Sequence, residues 1–358
     1  MLRFESIKIN NFRCYVDVKY SFAPNINIFV GKNGTGKTSV IEALGYLFIG
    51  KSFKKAKDPD CLKTGATYFS IVGECFLDEK PEKIILYYDK NGKKITINNK
   101  KESKISLFAS KKALVSFSPE DLGIIKGSPS DRRRFLDVSL IQIDEKYADT
   151  LNKYNKIIKE RNEYLKTLDN KDVDFDFLDV LDKQIIETGK QIVKKREEFV
   201  MYLCRYINMS MKTISKNKDT TSIRYIPKVS VENFEYEFLK RRKYDVYLQT
   251  TTLGPHRDDL EFLINSISGE CASQGQIRCA VLSLIISYYK YLKSISKPLI
   301  VAMDDVLSEL DEERKNDFFR LIDNEDQIFI TCTDLNSVSN EIVEKSNVIY
   351  VGKEQKWN

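Results

Sequence analysis

The residues best suited to chemistry lie between positions 25 and 44, in the sequence NINIFVGKNGTGKTSVIEAL. They follow the spacing G-x-x-x-x-G-K-[ST], between an apolar run and an apolar-periodic segment. Glycines at these places let backbone N–H groups curl around phosphate oxygens, and the helix that follows offers its partly positive N-terminus. The stretch therefore predicts a nucleoside triphosphate site. The predicted phosphate-binding residues are Gly31, Lys32, Asn33, Gly34, Thr35, Gly36, Lys37 and Thr38.

Two adjacent carboxylates, Asp304 and Asp305, form a second chemically significant group, because they end a buried-strand pattern at 300–304. In a phosphate-loop ATPase, Lys37 would contact the β- and γ-phosphates, and the Thr38 hydroxyl would bind Mg²⁺. Asp304 is predicted to anchor Mg²⁺, either directly or from the next layer of ligands. It shares the predicted catalytic role with Asp305, which can polarise the attacking water. The cofactors that this arrangement predicts are ATP and Mg²⁺.

A third group, SQGQ at 273–276, stands at the start of a predicted helix. Ser273 can cap that helix and Gly275 leaves its backbone N–H accessible, so the helix start could bind an anion. By composition alone, an ordinary capped helix explains the pattern better. The candidate residues are Ser273, Gln274, Gly275 and Gln276.

The charge balance allows an anionic partner without requiring one, because 58 basic residues exceed 52 acidic residues by six. Two basic clusters could contact DNA phosphates, although charge runs are more often solvated surfaces. His256, the only histidine, stands between Pro255 and Arg257 and is expected to serve as a structural hydrogen bonder. The candidate DNA contacts are Lys51, Lys54, Lys55, Arg132, Arg133 and Arg134.

The composition argues against several classes of protein. An apolar fraction of 42% and a charged fraction of 31% are typical of a soluble globular chain. The seven cysteines are scattered and never spaced C-x-x-C, which argues against a disulfide framework or a zinc site. The N-terminus lacks the pattern of a signal peptide, and the longest apolar run, at 280–289, is half of the ~20 residues that a membrane span needs. A cytoplasmic protein is expected.

Several elements must position these groups. Residues 2–30 are interpreted as two strands that lead into the phosphate loop, and residues 38–48 as the helix behind it. The alternating segments at 68–100 predict an antiparallel sheet, with a two-residue hairpin turn at Asn91-Gly92.

Two long helices are predicted in the middle of the chain. Helical spacing runs from 131 to 168, broken only at Arg161, and again from 177 to 211. Together they would form an antiparallel hairpin with arms of roughly 35 residues, or ~50 Å, which is a short stub. The α/β pattern resumes near residue 246, so the helices are predicted to be an insertion within the α/β domain.

Taken together, the motifs resemble the bacterial RecF family of DNA repair ATPases, whose heads are related to SMC proteins and ABC transporters. The similarity covers nearly the whole length of the chain. The matching segments at 118–137 and 253–260 are highly specific for the family. The chain departs from the family pattern at Cys14, where an asparagine is expected, and at Ala302-Met303, where the usual aliphatic strand is weakened. The matching segments are NNFRCY at 10–15, GKNGTGKT at 31–38, SPEDLGIIKGSPSDRRRFLD at 118–137 and LGPHRDDL at 253–260.

The resemblance implies an α/β fold of the ABC-type phosphate-loop ATPase head, a mixed sheet with an antiparallel β subdomain, with an inserted helical-hairpin domain. Residues 1–125 and 246–358 would form the head from both ends of the chain, and residues 126–245 the inserted helical domain. SQGQ at 273–276 would be the ABC-type signature, and LSELD at 307–311 a loop that touches the partner subunit.

The same resemblance implies how the protein acts. ATP would close a homodimer in which each nucleotide lies between the phosphate loop of one copy and the signature helix of the other. DNA would be gripped across this closed dimer. The implied role lies at single-stranded gaps and stalled replication forks, in recombination and the SOS response. There the protein would act with RecO and RecR to help RecA load.

Other functions remain open in the sequence. An SMC-like DNA-tethering head would need a long coiled coil, and the predicted hairpin is far too short. A transporter motor would carry a histidine at the end of the strand segment QIFITCTD, but position 333 is Thr and no histidine lies near it. A non-hydrolysing ATP-switched DNA clamp stays an alternative to a weak DNA-stimulated ATPase. Asp305 is shorter than the glutamate more usual in related ATPases, and it fits slow turnover or almost none.

Overall fold

Three sheets and a set of helices make up the part of the chain that the computed structural model describes. The strands are β1 (Leu2–Asn10), β2 (Asp17–Ser21), β3 (Ile26–Val30), β4 (Tyr68–Leu77), β5 (Lys80–Asp89), β6 (Gly92–Ile97), β7 (Lys100–Lys101), β8 (Ala113–Phe117), β9 (Thr221–Ile226), β10 (Asp259–Ile264), β11 (Ile267–Ser268), β12 (Leu299–Asp304), β13 (Ile328–Cys332) and β14 (Ser346–Tyr350). The helices are α1 (Lys37–Ile49), α2 (Ile105–Ala109), α3 (Gly123–Lys126), α4 (Pro129–Ile143), α5 (Glu145–Thr167), α6 (Phe175–Ile214), α7 (Phe234–Leu248), α8 (Gln274–Ser294), α9 (Glu312–Arg320) and α10 (Asn340–Glu344). The described residues are 1–54, 56–102, 104–168, 175–306 and 312–352.

The five-stranded sheet, in the order β14-β3-β13-β12-β8, is parallel throughout. Strands β12 and β13 are buried at every position, as expected for a parallel sheet covered on both faces, so their predicted character is confirmed. Successive residues face two different cores, with Ile28 and Val301 in one core and Phe29 and Ile300 in the other. The carboxyl ends of β3 and β12 therefore lie at one edge, where the phosphate loop and the acidic pair emerge.

The six-stranded sheet, in the order β2-β1-β4-β5-β6-β7, is antiparallel and packs with α1 around the second core. The predicted hairpin is present, but its two turn residues are Lys90 and Asn91, because Asp89 pairs with Gly92. Gly92 has a φ of 103°, a left-handed conformation that favours glycine. Residues 2–30 hold three strands instead of two, because the chain turns back after β1 and adds the antiparallel β2.

The segment predicted as one helix over 131–168 contains two helices, α4 and α5, which meet at Asp144. Asp144 has extended backbone angles, φ −136° and ψ 112°, and its side chain accepts hydrogen bonds from the N–H groups of Lys146 and Tyr147. An aspartate that caps a new helix in this way ends the preceding one, and apolar periodicity does not reveal the break. The prediction of a single helix is therefore wrong.

Helices α5 and α6 form the predicted antiparallel hairpin. Arg161 of α5 contacts Asp182 of α6, and Tyr147 of α5 contacts Arg196 of α6. The residue numbers therefore increase in opposite directions along the two helices. Helix α6 has 40 residues and is ~60 Å long, which exceeds the predicted arm. Most of the predicted turn, at 169–174, lies outside the described residues.

A third sheet, in the order β11-β10-β9, joins the helical segment to the rest of the chain. Strand β9 lies within the predicted insertion at 126–245, whereas β10 lies beyond it, and the two pair antiparallel along their whole lengths. The division of the chain at residues 125 and 246 stays a prediction. If it holds, the two parts share one hydrogen-bonded sheet.

Candidate nucleotide-binding site

The phosphate loop leaves β3 and turns directly into α1. Gly34 and Gly36 have φ values of 81° and 106°, in the left-handed region where glycine is favoured. A Cβ on Gly36 would lie 2.7 Å from both the Cys14 Sγ and the Tyr15 hydroxyl oxygen, so a larger residue would clash there. Cys14, where the family pattern has an asparagine, thus places a thiol against the loop.

Lys37 fills the centre of this loop. Its Nζ donates to the Gly31 carbonyl at 2.6 Å and to the Lys32 carbonyl at 3.1 Å, and the residue is only 6% exposed. These two carbonyls hold the ammonium at a place where phosphate oxygens could replace them as acceptors. A cavity of about 230 Å³ lies beside it, lined by Lys37, Thr38, Ser39, Cys14, Asn33, Gly34, Gly36 and Asp305.

The structure brings Thr38 into contact with Asp304. Thr38 Oγ1 and Thr331 Oγ1 each donate to Asp304 Oδ1 at 2.8 Å. The described residues contain no group of three His, Cys, Asp or Glu side chains that could hold a metal by themselves. One hydroxyl and one buried carboxylate nevertheless fit Mg²⁺, because this ion is commonly bound by one or two side chains together with phosphate oxygens.

Lys54 belongs to this site, although the sequence grouped it with candidate DNA contacts. Its Nζ lies 3.3 Å from Asp304 Oδ2 and 3.2 Å from Glu120 Oε1. Mg²⁺ would compete with this ammonium for Asp304. Sequence reasoning missed Lys54 and Glu120 here, because their pairing joins segments far apart in the chain. The neighbouring candidate, Lys55, lies outside the described residues.

Asp305 occupies an unusual backbone conformation, with a φ of 56°. Its N–H donates to Thr331 Oγ1 at 2.9 Å. Few residues other than glycine, asparagine and aspartate adopt this region. The side chain lines the same cavity as Lys37 and Thr38, a position from which it could polarise a water beside the phosphates.

The SQGQ segment caps α8. Ser273 is the N-cap residue, and its Oγ accepts from the Gln276 N–H at 3.3 Å, while Gln276 Oε1 accepts from the Ser273 N–H at 3.1 Å. Ser273 and Gln274 are exposed, and a Cβ on Gly275 would meet nothing within 4 Å. None of the four residues lines the phosphate-loop cavity. The loop LSELD at 307–311 lies outside the described residues.

The predicted arginine contacts differ in their surroundings. Arg132 is buried, and its Nε and Nη2 donate to the two carboxylate oxygens of Asp259 at 2.6 and 3.0 Å. This placement argues against a DNA contact for Arg132, because its guanidinium already has an acidic partner. Arg133 and Arg134 instead line an open pocket together with Lys51, and their DNA contact stays a prediction.

His256 makes two hydrogen bonds inside the fold. Its Nε2 lies 3.0 Å from the Thr251 carbonyl and its Nδ1 lies 2.6 Å from the Tyr154 hydroxyl. A carbonyl can only accept, so Nε2 carries the proton and Nδ1 accepts from Tyr154. Burial lowers the pKa of His256 to about 4.

We expect protonation of His256 in the unfolded chain to lower the free energy of unfolding by up to about 3 kcal/mol as the pH drops from 6.5 to 4. The folded protein keeps the ring neutral over this interval, whereas the unfolded chain takes up the proton. Urea unfolding between pH 7 and 4 tests this, with His256→Gln as the comparison. The excess stability of the unaltered protein over this variant should shrink with falling pH. A constant difference would contradict the expectation.

Comparison with known proteins identifies the family. The family described as AAA ATPase domain matches residues 3–348. The DNA replication and repair protein RecF of Streptococcus gordonii is 38% identical over 94% of this chain and 95% of its own length. The protein of the same name in Halalkalibacterium halodurans is 34% identical over 98% of each chain. The chain belongs to the RecF family.

Solved structures agree with this assignment. The recombination mediator protein RecF in complex with ATP, from the RecFOR pathway, matches with a TM-score of 0.87 and 30% identity over 94% of each chain. The SMC head of Pyrococcus furiosus, 15% identical with a TM-score of 0.57, covers 98% of this chain and shares the fold. The predicted RecF resemblance and ABC-type ATPase head are therefore confirmed. Across the described ranges, the structure contains no helix with the length and apolar character of a membrane span.

Proposed function

We propose that this protein is an ATP-dependent DNA-binding repair protein that closes as a homodimer when it binds ATP and Mg²⁺. The observation that carries the proposal is the grouping of Lys37, Thr38 and Asp305 around one cavity, with Asp304 hydrogen-bonded to Thr38. The named relatives are DNA replication and repair proteins, and a solved relative was determined with ATP, which supports the same assignment.

In the proposed site, each side chain has a separate task. Lys37 would exchange the loop carbonyls for β- and γ-phosphate oxygens, and Thr38 and Asp304 would hold the metal. Bound Mg²⁺ would neutralise charge on the phosphates. Asp305 orients the attacking water and accepts its proton. An aspartate reaches less far than a glutamate, so hydrolysis of ATP would be weak. In the proposed function this hydrolysis is stimulated by DNA and acts as a switch.

The proposed cellular role is recombinational repair and replication restart. The protein would bind gapped duplex DNA or junctions of single- and double-stranded DNA, and act with RecO and RecR to help load RecA. Support comes from the solved RecF–ATP relative, which is named as a recombination mediator of the RecFOR pathway. Ser273 is exposed at a helix start and lies outside the cavity that Lys37 lines, which supports a site completed by a second copy.

A mixing experiment tests the shared site. Lys37→Met and Ser273→Arg should each be inactive as pure homodimers. A mixture should regain ATPase activity, because each mixed dimer has one site with both defects and one intact site. At equal concentrations, random pairing makes about half of the dimers mixed.

A matched control is a mixture of Lys37→Met with Thr38→Ala. Both changes lie in the phosphate loop, so every mixed dimer has two damaged sites and no activity should return. ATP-dependent dimer formation is followed by gel filtration in parallel. If Ser273→Arg alone dimerises and hydrolyses ATP like the unaltered protein, the signature helix is not part of the site.

A further inference from the structure

A basic pocket lies apart from the nucleotide site, between the loop after α1 and helices α4, α5 and α6. Its volume is about 500 Å³. It shares no lining residue with the phosphate-loop cavity. Its walls carry more positive than negative charge, so the potential inside this concave space favours an anion. The charged lining residues are the cations Lys51, Arg133, Arg134 and Arg196 and the acids Asp131 and Asp137.

The two carboxylates of the lining already have hydrogen-bond partners. Asp137 accepts a hydrogen bond from Arg196 Nη2 at 2.8 Å and another from the Tyr147 hydroxyl. Asp131 accepts from the backbone N–H and the hydroxyl of Ser128, both at 3.0 Å, and so caps the start of α4. Arg196 and Asp137 thus offset each other, and three cations face the pocket against one carboxylate.

The other three cations, Lys51, Arg133 and Arg134, form no ion pair within the described part of the chain. Arg133 Nη1 donates to the Asp258 carbonyl, and Arg134 Nη2 donates to two carbonyls of the loop after α1. Each guanidinium has five N–H donors, so several stay available to a ligand. Desolvation of the charged end groups lowers the pKa of all three cations, although Lys51 as a whole residue is exposed, and the nearby Arg134 lowers the pKa of Lys51 further. An anion would relieve this repulsion.

One short loop connects the pocket to the nucleotide site. Lys51 lines the pocket, and Lys54, three positions later, reaches Asp304. Arg134 Nη2 holds the carbonyls of the two residues between them, at 3.1 and 2.9 Å. Release of Lys54 from Asp304 on nucleotide binding would therefore free one end of the loop that carries Lys51.

We propose that this pocket binds a phosphate group of the DNA backbone. The inference rests on the proposed function, because an ATP-switched DNA-binding protein needs a phosphate contact that responds to the nucleotide site. The planar guanidinium of Arg133 suits two phosphate oxygens at once. Asn152 and Asn155, from α5, add neutral hydrogen-bonding groups to the same lining. Free inorganic phosphate has the same chemistry, so the test must separate the two sources.

The test compares the full-length protein with the double variant Lys51→Gln/Arg133→Gln. Fluorescence anisotropy with gapped duplex DNA and ATP is measured over a series of KCl concentrations. Each lost contact to duplex phosphate lowers the magnitude of the salt slope by about 0.9, so we expect a decrease of about 1.8. Arg134 is left unchanged because it holds the loop. Lys159→Gln, on the exposed surface of α5, is the matched control and should keep the original slope.

The outcomes distinguish a failure of the pocket assignment from a failure of the proposed function. If the unaltered protein shows no ATP-dependent DNA binding, the proposed function fails. If it binds DNA and the double variant keeps the same slope, only the pocket assignment is overturned.

A second measurement decides between the two sources of phosphate. Inorganic phosphate is added without DNA, and the Tm is followed. If phosphate raises the Tm of the unaltered protein but not of the double variant, while the DNA salt slopes are equal, the pocket takes soluble phosphate and the DNA assignment is wrong. Should the double variant not fold, Lys51→Gln alone, at the exposed rim, should lower the slope by about 0.9. An unchanged slope in this single variant also overturns the assignment.

Discussion

Replacing Lys37 by methionine is expected to abolish ATP-dependent dimerisation and DNA binding. Methionine keeps the apolar stem in its buried place but removes the ammonium that now donates to the Gly31 and Lys32 carbonyls. Hydrogen bonds to charged groups contribute roughly 1.5–3 kcal/mol each, so ATP affinity should fall at least about tenfold. Closure of the dimer should fail with it.

The measurements are binding of a fluorescent ATP analogue, gel-filtration mass with ATP, and anisotropy of gapped DNA. Lys8→Met serves as the control, because Lys8 is an exposed lysine on β1 that pairs loosely with Asp17. It should behave like the unaltered protein in all three assays. ATP-dependent retention of gapped DNA by Lys37→Met would show that the phosphate loop is not the switch.

Replacing Arg161 by methionine is expected to destabilise the helical hairpin strongly. Arg161 is fully buried, and its guanidinium donates to Asp182 at 2.7 Å, to Asp245 at 2.8 Å and to Thr251 at 2.9 Å. It also lies 5.1 Å from the centre of the Phe238 ring. Removing one partner of a buried ion pair leaves an uncompensated charge, which typically costs about 3–5 kcal/mol.

Urea unfolding measures this loss. Lys159→Met, two positions earlier on the same helix, is the matched control, because Lys159 is 77% exposed and its pair with Glu163 is loose at 3.7 Å. The control should change stability by less than about 0.5 kcal/mol. Adding Asp245→Asn to Arg161→Met should recover part of the loss, since it removes the charge left without a cation, whereas Asp182 keeps its pair with Arg242 at 2.8 Å. Equal stabilities for the Arg161 and Lys159 variants would contradict the buried-pair account.

The sequence predicts local structure well wherever it depends on fixed spacing within one segment. The glycine–lysine–threonine spacing gives the phosphate loop, and an apolar run that ends in Asp304 gives its acidic partner. The structure then places Thr38 2.8 Å from that carboxylate. Both signals are local, because a phosphate-binding turn and a strand end are each encoded by a few consecutive residues. A long apolar period likewise reveals the second helix of the hairpin.

The sequence does not reveal where a polar side chain finds a distant partner or ends a helix. Asp144 ends one helix and caps the next, although the apolar period continues across it. Arg161 interrupts the apolar period, and only the folded chain shows the two carboxylates that accept its hydrogen bonds in the interior. Lys54 and Arg132 look like surface cations in a basic run, yet each meets a carboxylate from a remote segment. Such pairs are set by tertiary packing, which periodicity does not report.

The position of β3 in its sheet has a consequence for the order in which the protein is made. Strand β3 lies between β13 and β14, whose residues are joined to the chain roughly 300 positions later. While the ribosome is still at work, β3 therefore has neither of its neighbours, and its two unpaired edges are open to wrong partners. The antiparallel sheet and the helical hairpin can form earlier, because their strands and helices emerge close together in time. The phosphate loop that follows β3 therefore has no finished sheet behind it until synthesis has passed β14.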